Sequence, residues 1–521
     1  MFTSSVLRSV AQRARAGYRD RPAVSLEDGP TWTYGELVAN VNRYANGLLD
    51  LGVTAGDRVG LLMRNSLEYW AAYLATTRIG AIAVRLNWRL APAELDYALR
   101  DSGATVLCLD DAFTGELRQM LGVLPDLTPV AFTEGADPFA TQPATEPPVD
   151  DPAATDPCMI MYTSGTTGRP KGALWSHDTT LWQCAIQVMQ WKYDKNLVCL
   201  STTPMYHVSA VEDWALPALM LGGHAVMMRS TGLRPERIAA MVRRHGVTDT
   251  FLVPSVIYDL LTSDAPGALD LPSLRRVVTG GSPMAAWAVT KMRQALPDVS
   301  LEQAYGLTEG GPISTVMDPA DLDTHPASVG TPMPLVEVRI ARLDDLAADA
   351  AADQEGEIWV RGPATCGVYY NKPEATAATF VDGWCRTGDL GRLTADGHLY
   401  VVGRVKDMII SGGENIYPAQ VEAVLLDHPA VKDAAVIGIP DARWGERPCA
   451  VIVTSPGMTV TADELVARCR GQLAGYECPR HVVLVDELPR NASGKVLKRV
   501  LRDQYASLGT RGRGMDPNTA S

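Results

Sequence analysis

Between residues 31 and 110, short apolar runs alternate with amphipathic helical patterns, and this rhythm narrows the possible folds more than any other feature of the chain. TYGELVANVNRYANGLLDLGV predicts a helix capped by Thr33, with Leu37, Val41, Tyr44 and Leu48 along one face. DRVGLLM and GAIAVRL read as buried strands with the helix SLEYWAAYLATTRI between them, and ATVLCLD continues the pattern. Unbroken apolar strands separated by helices imply an α/β fold with a largely parallel sheet. A second such stretch runs from about residue 174 to 315, after a Pro-, Ala- and Asp-rich connector at 134–157. The pattern then changes. VEVRIARL and GEIWVRG are strands without long helices between them, and GRLTADGHLYVVG is a hairpin turning at Asp396-Gly397. A smaller α+β piece follows, with strands DAAVIGI, PCAVIVT and HVVLV and helices TADELVARCRGQL and KVLKRVLRDQYASL. The expected architecture is α/β: a large N-terminal domain of α/β subdomains plus a β-rich subdomain over 1–403, and a small mobile α+β C-terminal domain over 404–508. The tail 509–521 is expected to be disordered.

The 521-residue chain carries a net charge of −13, so nucleic acid and anionic membranes are poor partners for its surface as a whole. Any anion site must be a local basic patch. Nine cysteines with no C-x-x-C pair fit reduced thiols in a cytoplasmic protein. The N-terminus lacks the apolar core of a signal peptide and reads as an amphipathic helix, and no apolar run reaches the length of a membrane span.

YTSGTTGRPKG, Tyr162 to Gly172, has the inventory of a polyphosphate cradle: flexible glycines, four hydroxyls and Lys171. It is not a Walker A loop, because Lys171 is followed by Gly172 rather than by Ser or Thr. Gly- and Ser-rich clusters are usually plain surface loops. The apolar run Cys158 to Met161 argues instead for a buried strand delivering this one to a site. Four more stretches carry chemistry. In QAYGLTEGG, Tyr305 can lie flat on a purine, and Thr308 with Glu309 can hold Mg²⁺ against phosphate oxygens. In TGDLGR, Asp389 in a tight turn can accept two ribose hydroxyls. GRVKDMIISGGENIYP and NASGKVLKR complete the set, the last with Lys495 after Gly494. Singly each has a bland reading as a cap or a solvated charge.

Together, in this order, they resemble the adenylate-forming superfamily of acyl-CoA synthetases, aryl-CoA ligases, peptide-synthetase adenylation domains and beetle luciferases. The resemblance runs from the TYGEL helix to ASGKVLKR and is strongest to stand-alone acyl- or aryl-CoA synthetases. It implies ATP, Mg²⁺ and CoA as cofactors, a small carboxylic acid as substrate, and an acyl-AMP intermediate. By matching position, Thr163, Ser164, Gly165, Thr166, Thr167, Gly168 and Lys171 are expected to hold the ATP phosphates. Gly281, Ser282 and Pro283 are expected beside the adenine and the acyl group. Gln303, Ala304, Tyr305 and Gly306 are expected at the adenine, with Tyr305 stacked on it. Thr308 is expected at the α-phosphate, Glu309 at Mg²⁺, and Asp389 with Arg404 at the ribose. His207, in TPMYHVS, is expected beside the carboxylate, and Lys495 between it and the α-phosphate. Lys406 takes the family's hinge position, and Gly412, Gly413 and Trp444 the CoA channel. His224 and His245 read as structural.

Two departures stand out. Glu477 and Cys478 lie where CoA-using relatives often carry basic residues, leaving Arg480, with Arg443, Arg447 or Lys498 as substitutes. Glu212 and Asp213 fall where the family runs apolar around the acyl pocket, and the bland reading is that they face away from it. Trp182, Trp191 and Trp214 read as core. The reading is an ATP-dependent carboxylic acid–CoA ligase for an apolar acid of medium size or larger. The alternatives are an enzyme loading a carrier protein, a non-catalytic nucleotide- or acyl-binding relative, and a luciferase-like oxygenase. The uninterrupted length before the hinge disfavours a fatty acyl-AMP ligase, and the presence of Lys495 and Glu309 disfavours the non-catalytic relative.

Overall fold

The computed structural model describes residues 6–115, 126–133, 135–163, 169–282, 284–455, 457–490 and 495–510. The chain divides into two compact units. The first comprises Met1–Met284, Ala288–Arg339 and Trp359–Thr387. The second comprises Ala285–Trp287, Ile340–Ile358 and Gly388–Ser521.

The predicted α/β rhythm is present in the first unit. Strands Arg58–Leu62, Ile82–Arg85, Val106–Asp110, Thr128–Phe132, Pro157–Thr163 and Lys171–Ser176 form one sheet. Its order is 128–132, 106–110, 58–62, 82–85, 157–163, 171–176; every pairing is parallel except the last. Parallel strands covered by helices on both faces are buried on both, hence their unbroken apolar runs. Thr33 caps the helix Tyr34–Asp50 in a reciprocal capping box with Glu36, and Leu37, Val41, Tyr44 and Leu48 are buried as the spacing requires. Ser66 likewise caps the helix Leu67–Arg78, accepting the Tyr69 N–H. A second sheet of nine strands has a central parallel portion, 300–307, 276–279, 249–251, 198–201, 224–227 and 22–26, flanked by antiparallel strands. Trp191 and Trp214 are core residues packed edge to face, their ring centres 5.4 Å apart, and Trp182 is partly buried against the same core. His224 and His245 lie together with ring centres 5.4 Å apart, and His224 is hydrogen-bonded to Ser25.

In the second unit the strands Ile409–Ser411, Glu414–Ile416, Val431–Asp441, Gly445–Thr454 and His481–Val485 form a mixed sheet. Helices Pro418–Leu426, Ala462–Gln472 and Lys498–Thr510 accompany it. Val421, Leu425, Val436, Ile452 and Leu465 close one core under the first two helices. The hairpin read from GRLTADGHLYVVG exists: 389–393 pairs with 399–404, and Gly397 takes a φ of 92° in the turn. All nine cysteines are free thiols, buried apart from the half-buried Cys366 and Cys478.

Candidate active site

The parallel strand Pro157–Thr163 returns as the antiparallel strand Lys171–Ser176, so Thr163 and Lys171 face each other at the base of the predicted phosphate loop. Ser164, Gly165, Thr166, Thr167 and Gly168 lie outside the described residues, as does Pro283. The loop base converges on Glu309, which is 8% exposed. The Thr163 hydroxyl donates to Glu309 Oε1 at 2.9 Å, and the Tyr369 hydroxyl donates to the same oxygen at 2.9 Å. No described residue donates to Oε2. Lys171 Nζ sits 5.0 Å from the centre of the Tyr369 ring, within cation–π range. A buried carboxylate with one oxygen held by two hydroxyls and the other open, beside a lysine, suits a hard cation and phosphate oxygens. Glu309 is the residue that would hold Mg²⁺ there. Thr308 is fixed through its carbonyl, which accepts the Trp175 indole N–H at 3.1 Å.

Tyr369 was not singled out in the sequence. Its signal was the pair of tyrosines in GVYYN, because a buried tyrosine needs a partner for its hydroxyl. Burial, the Glu309 charge and the hydrogen bond to it hold the phenol well above its usual range, so Tyr369 keeps the proton it donates.

The end of strand Arg276–Thr279 meets strand Ser300–Leu307 at a close backbone approach. A Cβ on Gly280 would stand 2.7 Å from the Ala304 carbonyl oxygen. Gly281 follows at a φ of 82°, with Ser282 exposed beside it. Gln303, Ala304, half-buried Tyr305 and Gly306 lie along the neighbouring strand. Gly306 is required there, since a Cβ would approach the Pro312 carbonyl oxygen to 2.3 Å. The strand therefore carries Tyr305 past the TGGS turn, and Thr308 and Glu309 follow in the turn that leads to strand Gly311–Val316.

His207 opens the short helical turn Val208–Ala210, its ring centre 4.7 Å from that of Tyr206. Glu212 and Asp213, the two carboxylates that stood out against an apolar pocket, are fully committed inside the protein. Glu212 is 0% exposed, ion-paired to Arg85 at 2.5 Å, and accepts the Tyr73 hydroxyl at 2.9 Å. Asp213 accepts the Gln183 amide at 3.0 Å; burial and the neighbouring Glu212 push its carboxyl well above the usual range.

In the second unit, Asp389 lies in a strand rather than in a tight turn. Gly388, at a φ of 69°, places the turn-like conformation one residue earlier. Asp389 pairs directly with Arg404 across the hairpin, and their charges meet at 3.0 Å. Lys406 follows in the short 3₁₀ turn Val405–Asp407. Its ammonium is held below the usual lysine range, first by partial desolvation and then by Arg404, Arg502 and Lys495, with Asp407 opposing. Lys406 thus feels the charges of both Arg404 and Lys495. Gly412 and Gly413 form the turn between Ile409–Ser411 and Glu414–Ile416 at φ values of 63° and 90°. A Cβ on Gly412 would stand 2.4 Å from the Trp444 ring, so this glycine is fixed by the indole as well as by its φ. Arg443 and Arg447 flank that indole at 4.6 and 5.5 Å from its ring centre. Glu477 is half-buried and accepts the Ala474 N–H at 2.8 Å, capping its own turn.

The AMP-binding enzyme model matches residues 11–370, and the AMP-binding enzyme C-terminal domain matches 420–495. A feruloyl-CoA synthase from Amycolatopsis sp is 37% identical, over 92% of this chain and 94% of that enzyme. The fatty acid–[acyl-carrier-protein] ligase ScoC of Streptomyces coeruleorubidus is 34% identical over 93% of each. Among solved structures, o-succinylbenzoate CoA synthetase of Bacillus subtilis in complex with its acyl-adenylate superposes with a TM-score of 0.86 at 32% identity. That match covers 96% of this chain and 99% of the other. The same enzyme has been solved with ATP and a magnesium ion, at a TM-score of 0.85. The chain belongs to the AMP-binding enzyme family, the adenylate-forming superfamily. Among the described residues, no helix is long and apolar enough to cross a membrane.

Proposed function

We propose that this chain is an ATP-dependent carboxylic acid–CoA ligase acting through an acyl-AMP intermediate. In the first half-reaction a carboxylate oxygen attacks the α-phosphorus of ATP and pyrophosphate leaves. In the second, the CoA sulfur attacks the acyl carbon, AMP leaves, and the thiol proton goes to solvent. The carboxylate is already a nucleophile, so no general base is needed. What must be overcome is the repulsion between two anions. The observation that carries this reading is the convergence of Thr163 and Tyr369 on Glu309 at the base of the phosphate loop, with Lys171 over the Tyr369 ring.

In this reading the Thr163–Lys171 loop grips the β- and γ-phosphates, and Thr308 meets the α-phosphate. Mg²⁺, when bound at Glu309, supplies positive charge against the phosphate oxygens. Tyr305 covers the adenine, and Asp389, oriented by Arg404, accepts the ribose hydroxyls. Lys495 bridges carboxylate and α-phosphate, with His207 beside the carboxylate. A domain of residues 404–508 turns about Lys406 between the half-reactions, exchanging Lys495 for the Gly412-Gly413 turn and Trp444.

The acid is apolar and of medium size or larger. Glu212 is bound to Arg85 and Tyr73, and Asp213 to Gln183, so neither carboxylate is left to anchor an amine. A pyrophosphate-release screen over short, medium, long and aromatic acids tests this, and best turnover with acetate or an amino acid would reject it. The acceptor is CoA: Glu477 is occupied by the Ala474 amide, and Arg443 beside Trp444 offers charge for CoA phosphates, Arg447 being paired with Asp441 at 2.8 Å. Loading of a carrier protein is the second reading, favoured by the likeness to an acyl-carrier-protein ligase. Thioester yield from free CoA against that from phosphopantetheinylated carrier protein separates the two. The location consistent with reduced cysteines is the cytoplasm.

A further inference from the structure

The segment Thr203–His207, buried at Met205 and Tyr206 and half-buried at Thr203, Pro204 and His207, has backbone polar groups met by two buried side chains. Asn65, 4% exposed, accepts the Met205 N–H at 2.7 Å and donates to the Thr203 carbonyl at 3.0 Å. Arg85, 2% exposed at the C-terminal end of strand Ile82–Arg85, donates through Nη2 to the His207 carbonyl at 2.9 Å and to the Met205 carbonyl. Its Nη1 bonds Glu212 at 2.5 Å and its Nε the Tyr69 hydroxyl at 3.3 Å. The guanidinium also lies 5.3 Å from the centre of the Tyr73 ring, whose hydroxyl completes Glu212. Five N–H donors in a rigid fork let one arginine do this; a lysine reaches only some of these acceptors.

We infer that Arg85, balanced by buried Glu212, is a positioning residue that sets the place of His207 at the substrate carboxylate. A buried ion pair by itself is a weak source of stability, and apolar replacements of similar volume are often neutral. Here the cation also closes two carbonyls on either side of Tyr206, that of Met205 buried and that of His207 partly so, which no apolar side chain can do. Glu212 neutralises Arg85 where water cannot. The pair thus links the strand next to Pro157–Thr163, which delivers the phosphate loop, with the segment that presents His207. Both side chains are fully buried, so the pair acts through the backbone it holds.

This inference rests on the proposed role of His207, so its test includes a readout that does not need turnover. R85M/E212M, R85K and E212Q are compared with wild type in acid-dependent pyrophosphate release, each well below its own thermal midpoint. R85M/E212M is expected to fold and to raise the KM for the acid tenfold or more, with the KM for ATP changed less than twofold. E212Q retains both carbonyl bonds and is expected to lie nearer wild type than R85K. The His207 imidazole proton resonance, assigned by its loss in H207N, should move in R85M/E212M and stay in place in E212Q, whether or not an acid is turned over. A wild-type acid KM with an unmoved His207 resonance in R85M/E212M overturns the inference, as does E212Q being more impaired than R85K. If R85M/E212M does not fold, the order of R85K and E212Q in KM and resonance decides alone. A moved resonance with no acid-dependent pyrophosphate release from wild type rejects the proposed function and leaves the positioning intact.

Discussion

Replacing Tyr369 with Phe removes one atom, and the structure says what that atom does. The Tyr369 hydroxyl donates to Glu309 Oε1 at 2.9 Å, and the ring beneath Lys171 is retained in phenylalanine. A hydrogen bond to a charged group contributes about 1.5–3 kcal/mol. At about 1.4 kcal/mol per tenfold, its complete loss from the transition state would slow adenylation roughly 10- to 150-fold. Thr163 still donates to the same oxygen, so the lower end of that range is expected. Single-turnover pyrophosphate release at saturating acid, titrated with Mg²⁺, measures it. T163V should act similarly, and Y369F/T163V should be non-additive, because both hydroxyls orient one carboxylate oxygen. Adenylation by Y369F within twofold of wild type would refute the assignment of Tyr369 as the group that orients Glu309.

Lys495→Ala should reduce acyl-AMP formation by at least about 10²-fold, while thioester formation from supplied acyl-AMP survives. Equal loss in both half-reactions, measured separately, contradicts the assignment. Lys406→Pro should do the reverse, because proline fixes φ near −65°; parallel losses would mean the turn at Lys406 does not move. Acid should destabilise the fold through two histidines. Burial holds both His177 and His224 down to about 4, with Asp156 opposing for His177 and His245 assisting for His224. The native state refuses a proton that the unfolded chain accepts near 6.5. Their contribution is therefore complete above that pH and is lost as pH falls toward 4, on the order of 3 kcal/mol each. Thermal midpoints at pH 7.5 and 5 should show a smaller drop in His177→Gln than in wild type, and equal drops would remove His177 as a source.

The parallel sheets were legible because strands buried on both faces must be apolar throughout. Thr33 was legible as the start of a helix because a hydroxyl before an amphipathic run satisfies orphan amides. Motif chemistry pointed to Glu309 and Thr163 through residue type, spacing and order. Tyr369 escaped notice because its partner lies 60 positions away, a distance no local pattern spans. Arg85 escaped for the same reason: inside GAIAVRL it reads as an interruption of a strand, and its partners arrive more than a hundred positions later. Glu212 and Asp213 raised a question in the sequence that only packing could answer. TGDLGR reads as a tight turn at Asp389, whereas Gly388 takes the left-handed φ and Asp389 stays in the ladder.

The central claim is adenylation followed by thioester formation, and product analysis with ATP labelled in the α-phosphate tests it most directly. With the best acid from the screen and no CoA, the label should appear in acyl-AMP while pyrophosphate is released. On addition of CoA, acyl-CoA and free AMP should accumulate in equal amounts, and Glu309→Gln should abolish both stages. Formation of ADP and orthophosphate, or pyrophosphate release indifferent to the acid, would contradict the account.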